Sequence, residues 1–369
     1  MRVLLTVTSL LPSYGGPALS VSRLASALAE AGAEVGIWGS DQSAPITSFL
    51  QPGSAVHRIV GTEAQALDRF VPDILHDNGI WLAHNHRLAV LSRIRGIPRM
   101  VSTRGMLEPW ALRHKQFKKR IAWQVYQRVD LTSALSHHTT SEAENRHLQQ
   151  LKLQVPIVTV PNGVDLPDEP PSALRPEQRP PKGRRTALFL GRICPIKGLP
   201  MLVEAWARVR PKGWCLRIAG PDEAGHRKQV ENAVCAAGLS EVVSFVGPLE
   251  HQMKDSAFFD AELFILPSHS ESFGIVVAEA LAHRLPVITT TGAPWSILRE
   301  RGCGWWVDAS VDGITAALAE ATALSSDSLR TMGAKGRASV AEQLCWKGIA
   351  ERFLSIYAGM SNGASCAAD

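Results

Sequence analysis

Residues 263–282 read LFILPSHSESFGIVVAEALA, and this stretch predicts a strand, a loop and a helix in succession. The run 263–266 is apolar and of strand length, which is typical of a strand covered on both faces of a parallel sheet. A polar loop over 267–272 follows, and a helix is predicted to begin near Gly274. A buried strand joined to a helix by a short polar loop is the repeating unit of an α/β fold.

Strand–helix pairs of this kind recur along the whole chain. In the first half, an apolar strand over 3–7 precedes a helix that begins at Pro17 and ends at Gly32. Further strands are predicted at 35–38, 74–77, 99–103, 134–139 and 157–160, with helices at 85–95 and 141–151. In the second half, strands are predicted at 186–190, 215–219, 242–246, 263–266 and 287–290, with helices at 199–209, 227–237 and 346–357. This alternation predicts two doubly wound parallel sheets.

A proline-rich stretch separates the two halves. Residues 161–185 contain seven prolines among charged residues, which is typical of an extended linker. A chain of 369 residues is also long for a single hydrophobic core. The predicted parts are an N-terminal domain over 1–165, a linker over 166–185, a C-terminal domain over 186–342 and a final helix over 343–360. We expect a cleft between the two domains, because open parallel sheets bind ligands at the carboxyl ends of their strands.

The composition argues against several classes of protein. The net charge of +5 is small for a chain of this size, so it does not indicate a nucleic-acid-binding protein. The six cysteines include no closely spaced pair, which disfavours a zinc site or a disulfide framework and favours a reducing compartment. No uncharged apolar run reaches the roughly 18 residues of a membrane-spanning helix, and the N-terminal stretch reads as a buried strand rather than a signal peptide. We therefore expect a cytoplasmic protein.

Two carboxylates flank the predicted start of the helix near Gly274. Glu271 lies on the preceding loop, and Glu279 lies within the apolar helix. The free N–H groups of a helix start suit a phosphate. A carboxylate among apolar side chains needs a partner, which for Glu279 is either a neighbouring arginine or backbone N–H group, or the hydroxyl donors of a ribose. Glu271 taken alone also fits an ordinary surface acid.

The loop 191–198, GRICPIKG, supplies cations at the carboxyl end of a predicted strand. Arg192 and Lys197 taken alone fit solvated surface residues, but a guanidinium and an ammonium on one such loop also fit a diphosphate. Together, these cations, the glycine at the helix start and the carboxylates of Glu271 and Glu279 favour a nucleoside diphosphate sugar as the ligand.

This ordered set of motifs resembles the family-4 retaining glycosyltransferases, which have the GT-B fold of two facing Rossmann-like, doubly wound domains. The matching stretches, in family order, are 15–16 (GG), 140–144 (TSEAE), 161–165 (PNGVD), 191–198 and 271–279. The resemblance implies a retaining, metal-independent hexosyltransferase without a bound cofactor. Its co-substrate would be a UDP- or GDP-linked sugar, and its acceptor a glycan or a lipid-linked saccharide in surface polysaccharide synthesis. No side-chain nucleophile is implied, and the leaving phosphate would accept the proton of the acceptor.

The same resemblance implies roles for individual residues. Arg192 and Lys197 would hold the diphosphate at the reaction centre, and Glu271 would bind hydroxyls of the donor sugar there. Glu279 would bind the ribose. The other donor-binding residues would be Ser272, Phe273, Gly274 and Ile275 at the helix start, and Gly15 and Gly16 on the first loop of the N-terminal domain. The last helix would pack back on the N-terminal domain.

The acceptor side departs from the family pattern. Many members carry a histidine after the strand that corresponds to 99–103, whereas Arg104 stands at that position here. Arg104 is expected to replace it and to meet a sugar hydroxyl, a phosphate or an acidic acceptor. His76 and Asn78, at the carboxyl end of another predicted strand, complete the predicted acceptor side. Other histidines that fit either this role or an ordinary polar position are His84, His86, His137 and His138.

Residues 110–128, WALRHKQFKKRIAWQVYQR, carry six lysines and arginines and no acidic residue. Their apolar residues recur at roughly helical spacing, which predicts a basic amphipathic helix. Such a helix is typical either of a membrane-surface element or of a solvated helix that covers its domain. On the first interpretation, the protein is peripheral on the inner face of the cytoplasmic membrane and its acceptor is lipid-linked.

Two other functions fit parts of the sequence. A Rossmann oxidoreductase would show G-x-G-x-x-G after the first strand, whereas the loop 13–17 reads SYGGP. A GT-B protein that binds a sugar nucleotide without transferase activity, as an epimerase-like protein or a scaffold, would keep the same motifs. The presence of Glu271, Glu279, Arg192 and Lys197 together favours the active transferase.

Overall fold

The computed structural model describes residues 1–11, 14–42, 50–51, 53–113, 115–167, 183–249 and 251–365. The chain divides into two compact units. Unit 1 comprises Met1–Gly163 and Leu344–Asp369, and unit 2 comprises Val164–Gln343. Most of the predicted linker over 166–185 lies outside the described residues.

Unit 1 is built on a parallel sheet whose described strands follow the order β3-β2-β1-β4-β5-β6-β7. The strands are β1 (Arg2–Val7), β2 (Glu34–Gly39), β3 (Val56–Ile59), β4 (Ile74–Asn78), β5 (Arg99–Ser102), β6 (Ser136–Thr139) and β7 (Ile157–Thr159). The helices are α1 (Gly16–Glu30), α2 (Glu63–Phe70), α3 (Ala83–Ile94), α4 (Pro109–Arg113), α5 (Gln116–Ala122), α6 (Arg128–Thr132), α7 (Glu142–Gln149) and, from the C-terminal segment, the helix Trp346–Ser365. A π-helical turn, Trp123–Gln127, joins α5 to α6.

The core of unit 1 forms around its first strand. Val3 and Leu5 are fully buried, and β1 pairs in parallel with β2 on one side and β4 on the other. These side chains share one apolar cluster with Leu28 of α1 and with Phe353 of the C-terminal helix. The unbroken apolar run of β1 is therefore that of a strand covered by helices. The C-terminal helix belongs to unit 1, although it follows unit 2 in the sequence.

Unit 2 is also built on a parallel sheet, whose described strands follow the order β10-β9-β8-β11-β12-β13. Its strands are β8 (Arg185–Leu190), β9 (Trp214–Ala219), β10 (Val243–Gly247), β11 (Leu263–Leu266), β12 (Val287–Thr290) and β13 (Gly304–Val307). Its helices are α8 (Leu199–Val209), α9 (His226–Ala236), α10 (His251–Phe259), α11 (Ile275–Ala282), α12 (Ile297–Glu300), α13 (Val311–Ala323) and α14 (Ser326–Gln343), so the C-terminal helix Trp346–Ser365 is α15. The predicted fold of two doubly wound, Rossmann-like sheets is confirmed.

Several elements were not predicted from the sequence, among them β3, β13 and α2. The strand β3 is half-exposed and contains His57 and Arg58, so it lacks the apolar run of a buried strand. The strand β13 begins at a glycine. The helix α2 does carry a start signal, since Thr62 and Gln65 form a reciprocal capping box at its N-terminus.

The segment 110–128 differs from its prediction as one helix. Lys115 has a φ of 54°, in the left-handed region, and separates α4 from α5. The prediction of a single helix from residue 110 was therefore wrong at its start. From Gln116 the backbone stays helical through the π-helical turn to Thr132.

Candidate active site

Two loops meet at the carboxyl edge of the unit 2 sheet. The loop 191–198 follows β8, and the loop 267–272 follows β11. Gly198 has a φ of +67°, and a Cβ atom at this position would lie 2.2 Å from the carbonyl oxygen of Pro267. Only glycine allows the two loops to approach this closely.

The contact between these loops joins two of the predicted catalytic residues. The Nζ atom of Lys197 lies 2.5 Å from Oε1 of Glu271, and the exposed fractions of the two side chains are 14% and 12%. The hydroxyl of Ser268 donates to the same oxygen at 2.6 Å. The backbone N–H of Glu271 donates to the carbonyl of Gly292 at 2.7 Å. The carboxylate is therefore held by both its backbone and its side chain.

The predicted donor-binding stretch forms the start of α11. Gly274 is the N-cap residue with a φ of 74°, and no side chain caps the helix. Phe273 is buried, and its carbonyl accepts from the indole N–H of Trp295 at 2.6 Å. Ser272, Gly274 and Ile275 are half-buried. An uncapped helix start presents backbone N–H groups and a partial positive charge, which favour an anion.

Glu279 lies in α11, and its partner is a lysine from α10. The Nζ atom of Lys254 lies 2.5 Å from Oε1 of Glu279. Oε2 of the same carboxylate is buried and has no hydrogen-bond partner among the described residues. The expectation of an arginine or a backbone N–H group as the protein partner was therefore wrong. The free acceptor at Oε2 fits a hydroxyl donor from a ligand.

Arg192 stands apart from the Lys197–Glu271 pair. Its Nη1 atom lies 2.5 Å from Oε2 of Glu223, on the loop after β9, and both side chains are about half exposed. Cys194 lies between the two predicted cations in the sequence. Its pKa is raised by burial, while the charges of Arg192 and Lys197 act in the opposite direction. Arg192 and Lys197 thus share one loop, but Arg192 is paired with an acid of its own.

The predicted glycines of unit 1 lie at the start of α1. Gly15 has a φ of +81° and is the N-cap residue, and Gly16 is the first residue of the helix. No side chain caps this helix, and its first turn contains no acidic residue. The loop therefore leaves N–H groups of the α1 backbone open to an anionic partner at the carboxyl edge of the sheet.

His76 is fully buried and forms part of a chain of hydrogen bonds. Its Nδ1 atom lies 2.6 Å from the hydroxyl of Tyr357 in α15, and its Nε2 atom lies 2.6 Å from Oγ of Ser102. Ser102 also lies 2.6 Å from Nδ1 of His138, whose Nε2 atom lies 2.8 Å from the carbonyl oxygen of Val160. His76 therefore holds the sheet and α15 together, and it does not reach the surface as a predicted acceptor contact would.

The direction of this chain follows from its last member. The carbonyl of Val160 can only accept, so Nε2 of His138 carries the proton and Nδ1 accepts from Ser102. Ser102 in turn accepts from His76, whose Nδ1 accepts from the Tyr357 hydroxyl. Burial lowers the pKa of His76 well below its usual value and that of His138 to about 3, and it raises the pKa of Tyr357. The two imidazoles and the phenol are therefore neutral at neutral pH.

The side chains of Arg104 and Asn78 do come together, next to this chain of hydrogen bonds. The Nε and Nη2 atoms of Arg104 donate to Oδ1 of Asn78 at 3.0 and 2.6 Å. Its Nη1 atom donates to Oδ1 of Asn162 at 3.0 Å. Arg104 has a φ of 51°, an uncommon conformation for a residue with a side chain. Such strain persists where surrounding contacts fix it.

Glu144 supplies those contacts. Its Oε1 atom accepts from the hydroxyl of Thr103 at 2.7 Å and from the N–H of Gly105 at 2.6 Å, on either side of Arg104. Its Oε2 atom accepts from the N–H and the hydroxyl of Thr140 at 2.8 and 3.0 Å. Glu144 is buried, and four neutral donors surround its carboxylate. It therefore fixes the loop that presents Arg104.

Comparison with known families identifies the chain. Residues 15–163 match the glycosyl transferase 4-like domain, and residues 172–339 match the glycosyl transferases group 1. Together these two matches span most of both units. The chain belongs to the family-4 glycosyltransferases of the GT-B fold.

Two relatives of this glycosyltransferase are named for inositol-containing compounds. The D-inositol 3-phosphate glycosyltransferase of Arthrobacter sp. (strain FB24) is 29% identical over 318 residues, which cover 75% of this chain and 74% of that protein. The phosphatidyl-myo-inositol mannosyltransferase of Mycobacterium leprae is 30% identical over 269 residues, which cover 71% of this chain and 63% of that protein.

Solved structures share the fold of the glycosyltransferase. Sucrose-phosphate synthase from Thermosynechococcus elongatus has a TM-score of 0.78 at 20% identity, over 98% of this chain and 99% of that one. Anabaena Alr3699/HepE in complex with UDP and glucose has a TM-score of 0.74 at 16% identity, over 97% of this chain and 100% of that one. At these identities the likeness concerns the fold alone.

The segment around α5 and α6 gives the glycosyltransferase an exposed apolar stripe. Phe117, Ile121, Val125 and Val129 recur at every fourth residue, and all four are exposed, Phe117 at 76% and Val125 at 71%. A spacing of four drifts around an α-helix of 3.6 residues per turn, and the wider π-helical turn offsets that drift. Within the described residues, no helix of the glycosyltransferase combines the length and the apolar composition needed to cross a membrane.

Several site residues of the glycosyltransferase were not predicted. Lys254 and Glu223 carry no local sequence signal, because each meets its partner only through the tertiary fold. Asn162 and Glu144 stand inside the quoted motifs 161–165 and 140–144. Asn162 follows the end of β7, whereas Glu144 lies in the first turn of α7. Among the described residues, no group of three or more His, Cys, Asp or Glu side chains is arranged to hold a metal ion.

Proposed function

We propose that this glycosyltransferase moves a hexose-type sugar from a UDP- or GDP-linked donor to a glycan or lipid-linked saccharide, with retention of anomeric configuration and without a metal ion. The single observation that carries the proposal is the Lys197–Glu271 pair beside the uncapped start of α11. It brings a cation, a carboxylate and free backbone N–H groups to one edge of the unit 2 sheet, which suits a charged sugar donor.

The diphosphate is bound by Lys197 and the start of α11. An ammonium group has three N–H donors, and the contact with Glu271 uses one of them. The others are available for phosphate oxygens. Arg192 provides a second cation once it leaves its half-exposed contact with Glu223. Both cations stabilise the negative charge that develops on the leaving diphosphate.

The ribose is bound by Glu279. Its Oε2 atom is buried without a partner among the described residues, while Oε1 is held by Lys254. A vicinal diol supplies the donor that this oxygen lacks. This assignment agrees with the structures of Anabaena Alr3699/HepE in complex with UDP and with UDP-glucose.

Retention follows from attack on the face that the leaving group departs from. The bond between the anomeric carbon and the phosphate oxygen breaks as the bond to the acceptor oxygen forms. The leaving phosphate takes the acceptor proton, so no side-chain nucleophile takes part. Glu271, fixed by Lys197 and Ser268, binds the sugar hydroxyls near the reaction centre. The acceptor binds unit 1 near Arg104 and Asn78.

Of the two acceptor classes, docking of the enzyme at the inner face of the cytoplasmic membrane favours the lipid-linked one, in surface polysaccharide synthesis. This part of the proposal is supported by the exposed stripe of α5 and α6 and by the basic residues around it. Lys115, Lys118 and Arg120 are exposed beside Phe117 and Ile121. Apolar side chains flanked by lysine and arginine suit an anionic lipid surface.

The experiment is a transfer assay with UDP- and GDP-hexoses, run with a chelator present and a polyprenyl-linked saccharide as acceptor. The anomeric configuration of the product is read by NMR. Transfer with retention in the presence of the chelator is expected. An inverted product, or transfer only with added metal, contradicts the mechanism. Binding of the donor without transfer to any acceptor favours the alternative of a sugar-nucleotide-binding protein.

A further inference from the structure

Arg104 is a half-buried cation whose described partners are neutral. Three of its N–H groups donate to the side-chain oxygens of Asn78 and Asn162. No carboxylate of the described residues lies within ion-pair distance of it. A charge taken out of water without a counter-charge is costly, so such a group is usually paired. The site at Arg104 therefore lacks an anion.

Glu144 does not supply that anion. Its four hydrogen bonds to Thr103, Gly105 and Thr140 occupy both carboxylate oxygens. It acts on Arg104 only at longer range, where it raises the arginine pKa that burial lowers to about 10. Arg104 is therefore still charged at neutral pH.

The imidazole and phenol groups near Arg104 are neutral as well. His76 and His138 carry no charge at neutral pH, and the positive charge of Arg104 is one cause of their lowered pKa values. The phenol of Tyr14, in the turn before α1, lies close enough to Arg104 to influence its pKa. The start of α1, whose first turn contains no acidic residue, therefore lies on the same edge of the sheet as Arg104.

We propose that Arg104, positioned by Asn78 and Asn162, binds a phosphate ester carried by the acceptor. The inference rests on the proposed function, in which unit 1 receives the acceptor. A guanidinium has five N–H donors, and the two left over here belong to its terminal nitrogens. This fork matches two oxygens of one phosphate. Asn78 is itself oriented, since its Nδ2 atom donates to the carbonyl of His76 at 3.1 Å.

The test is a titration of the full chain saturated with the nucleoside diphosphate that it binds. Saturation fills the diphosphate site of unit 2, so any further phosphate is bound elsewhere. The probes are a soluble hexose 6-phosphate, and phosphatidylcholine vesicles with and without a polyprenyl phosphate. Binding of the soluble probe indicates a free sugar phosphate as the acceptor, and binding only of the loaded vesicles indicates a lipid-linked one.

Arg104→Gln is expected to weaken binding of the active probe by about tenfold to a hundredfold, the range for a hydrogen-bonded charge. Arg104→Lys keeps the charge but loses the fork, so it should retain part of the affinity. Arg146→Gln changes an exposed arginine on α7 and is the matched control. Circular dichroism and the urea midpoint establish that each variant is folded.

Failure of both probes to bind, or equal binding by the wild type and Arg104→Gln, overturns the inference. The inference is also overturned if the wild type prefers a UDP-hexuronate over a UDP-hexose and Arg104→Gln loses this preference. The anion would then belong to the donor. Failure of the proposed function is seen separately as absence of nucleotide binding. In that case the binding of the same probes is measured without nucleotide, for the wild type and for Arg104→Gln.

Discussion

The ammonium of Lys254 lies 2.5 Å from one oxygen of Glu279, while the other oxygen is buried without a hydrogen-bond partner among the described residues. An apolar helix contains this carboxylate, since Val276, Val277 and Ala280 around it are buried. A buried acceptor left open is costly in a protein without its ligand. We interpret this pair as a preformed half of a ribose site.

The two glutamates of α11 and its preceding loop should respond differently to the same change. Glu279→Gln removes the charge that orders Lys254 and alters the open acceptor, so nucleotide binding should weaken by about tenfold or more. Glu271→Gln should lower kcat more than it changes nucleotide affinity, because its carboxylate is assigned to the donor sugar. Calorimetry and steady-state kinetics on the same preparations separate the two effects.

Glu204→Gln is the control for both variants. Glu204 forms an exposed i,i+4 ion pair with Arg208 on α8, at a distance of 2.6 Å. Its loss should leave binding and kcat unchanged, since exposed pairs contribute little. Equal and negligible effects of Glu271→Gln and Glu279→Gln would contradict the assignment of the donor site.

Lys254 should act through Glu279 rather than by touching the base or phosphate. Lys254→Met leaves a largely buried carboxylate unpaired, and we expect a loss of about 1–3 kcal/mol in the stability of unit 2 together with weaker nucleotide binding. In a Glu279→Gln background the same change should cost much less, because no charge is left unpaired. A double-mutant cycle measures this coupling by urea denaturation. Additive effects of the two changes would show that the pair is not coupled.

The stability of unit 1 should depend on pH through His138. Its pKa is lowered from 6.5 to about 3 by burial, so between these values the unfolded chain holds a proton that the folded chain lacks. Its contribution to stability is present above the unfolded pKa and is lost as pH falls toward the folded one. Between about pH 7.5 and about pH 5.5 this removes about 1.4 kcal/mol from the free energy of unfolding.

His138→Gln should lack that loss. Asp77, whose pKa is raised to about 6, acts in the opposite direction, but it is present in both proteins and cancels in the comparison. Urea denaturation followed by pulsed hydrogen exchange of the β5 and β6 peptides reports on unit 1 by itself. Parallel pH dependences of the wild type and His138→Gln would show that folding does not lower the pKa of this histidine.

The apolar stripe should be needed for binding to anionic vesicles. Phe117→Ser combined with Val125→Ser should weaken co-sedimentation with phosphatidylglycerol-containing vesicles by about tenfold or more, because two large exposed side chains can no longer enter the lipid. Ile94→Ser is the control, since Ile94 is 75% exposed on α3, outside the stripe. Undiminished binding by the double variant, or an equal loss in Ile94→Ser, would contradict membrane docking at the stripe.

Much of the fold was readable because buried parallel strands leave an unbroken apolar run, as at β1 and β11. The edge strand β3 escaped detection because half-exposed strands mix polar and apolar residues. In the site, Lys197 and Glu271 were assigned from motifs and do meet in the structure. The partners Lys254 and Glu223 were not predictable, because strand order and loop conformation decide which side chain reaches an ion.

On the acceptor side, too, the tertiary fold decides what the sequence leaves open. His76 and Asn78 lie two residues apart at one strand end, and no feature of the sequence separates their roles. Alternate residues of a strand share a face, yet the structure buries the imidazole under α15 and leaves Asn78 to orient Arg104. The packing of the C-terminal helix, which is distant in sequence, makes this difference.

The most direct measurement is a calorimetric titration of the protein with UDP, GDP, ADP and TDP in the absence of added metal, for the wild type and Lys197→Ala. We predict that one nucleotide binds clearly and that Lys197→Ala weakens this binding by about tenfold or more. Such a result establishes a diphosphate site at the Lys197–Glu271 pair. Failure of all four nucleotides to bind, or equal binding by Lys197→Ala, would contradict the donor site on which the proposed function depends.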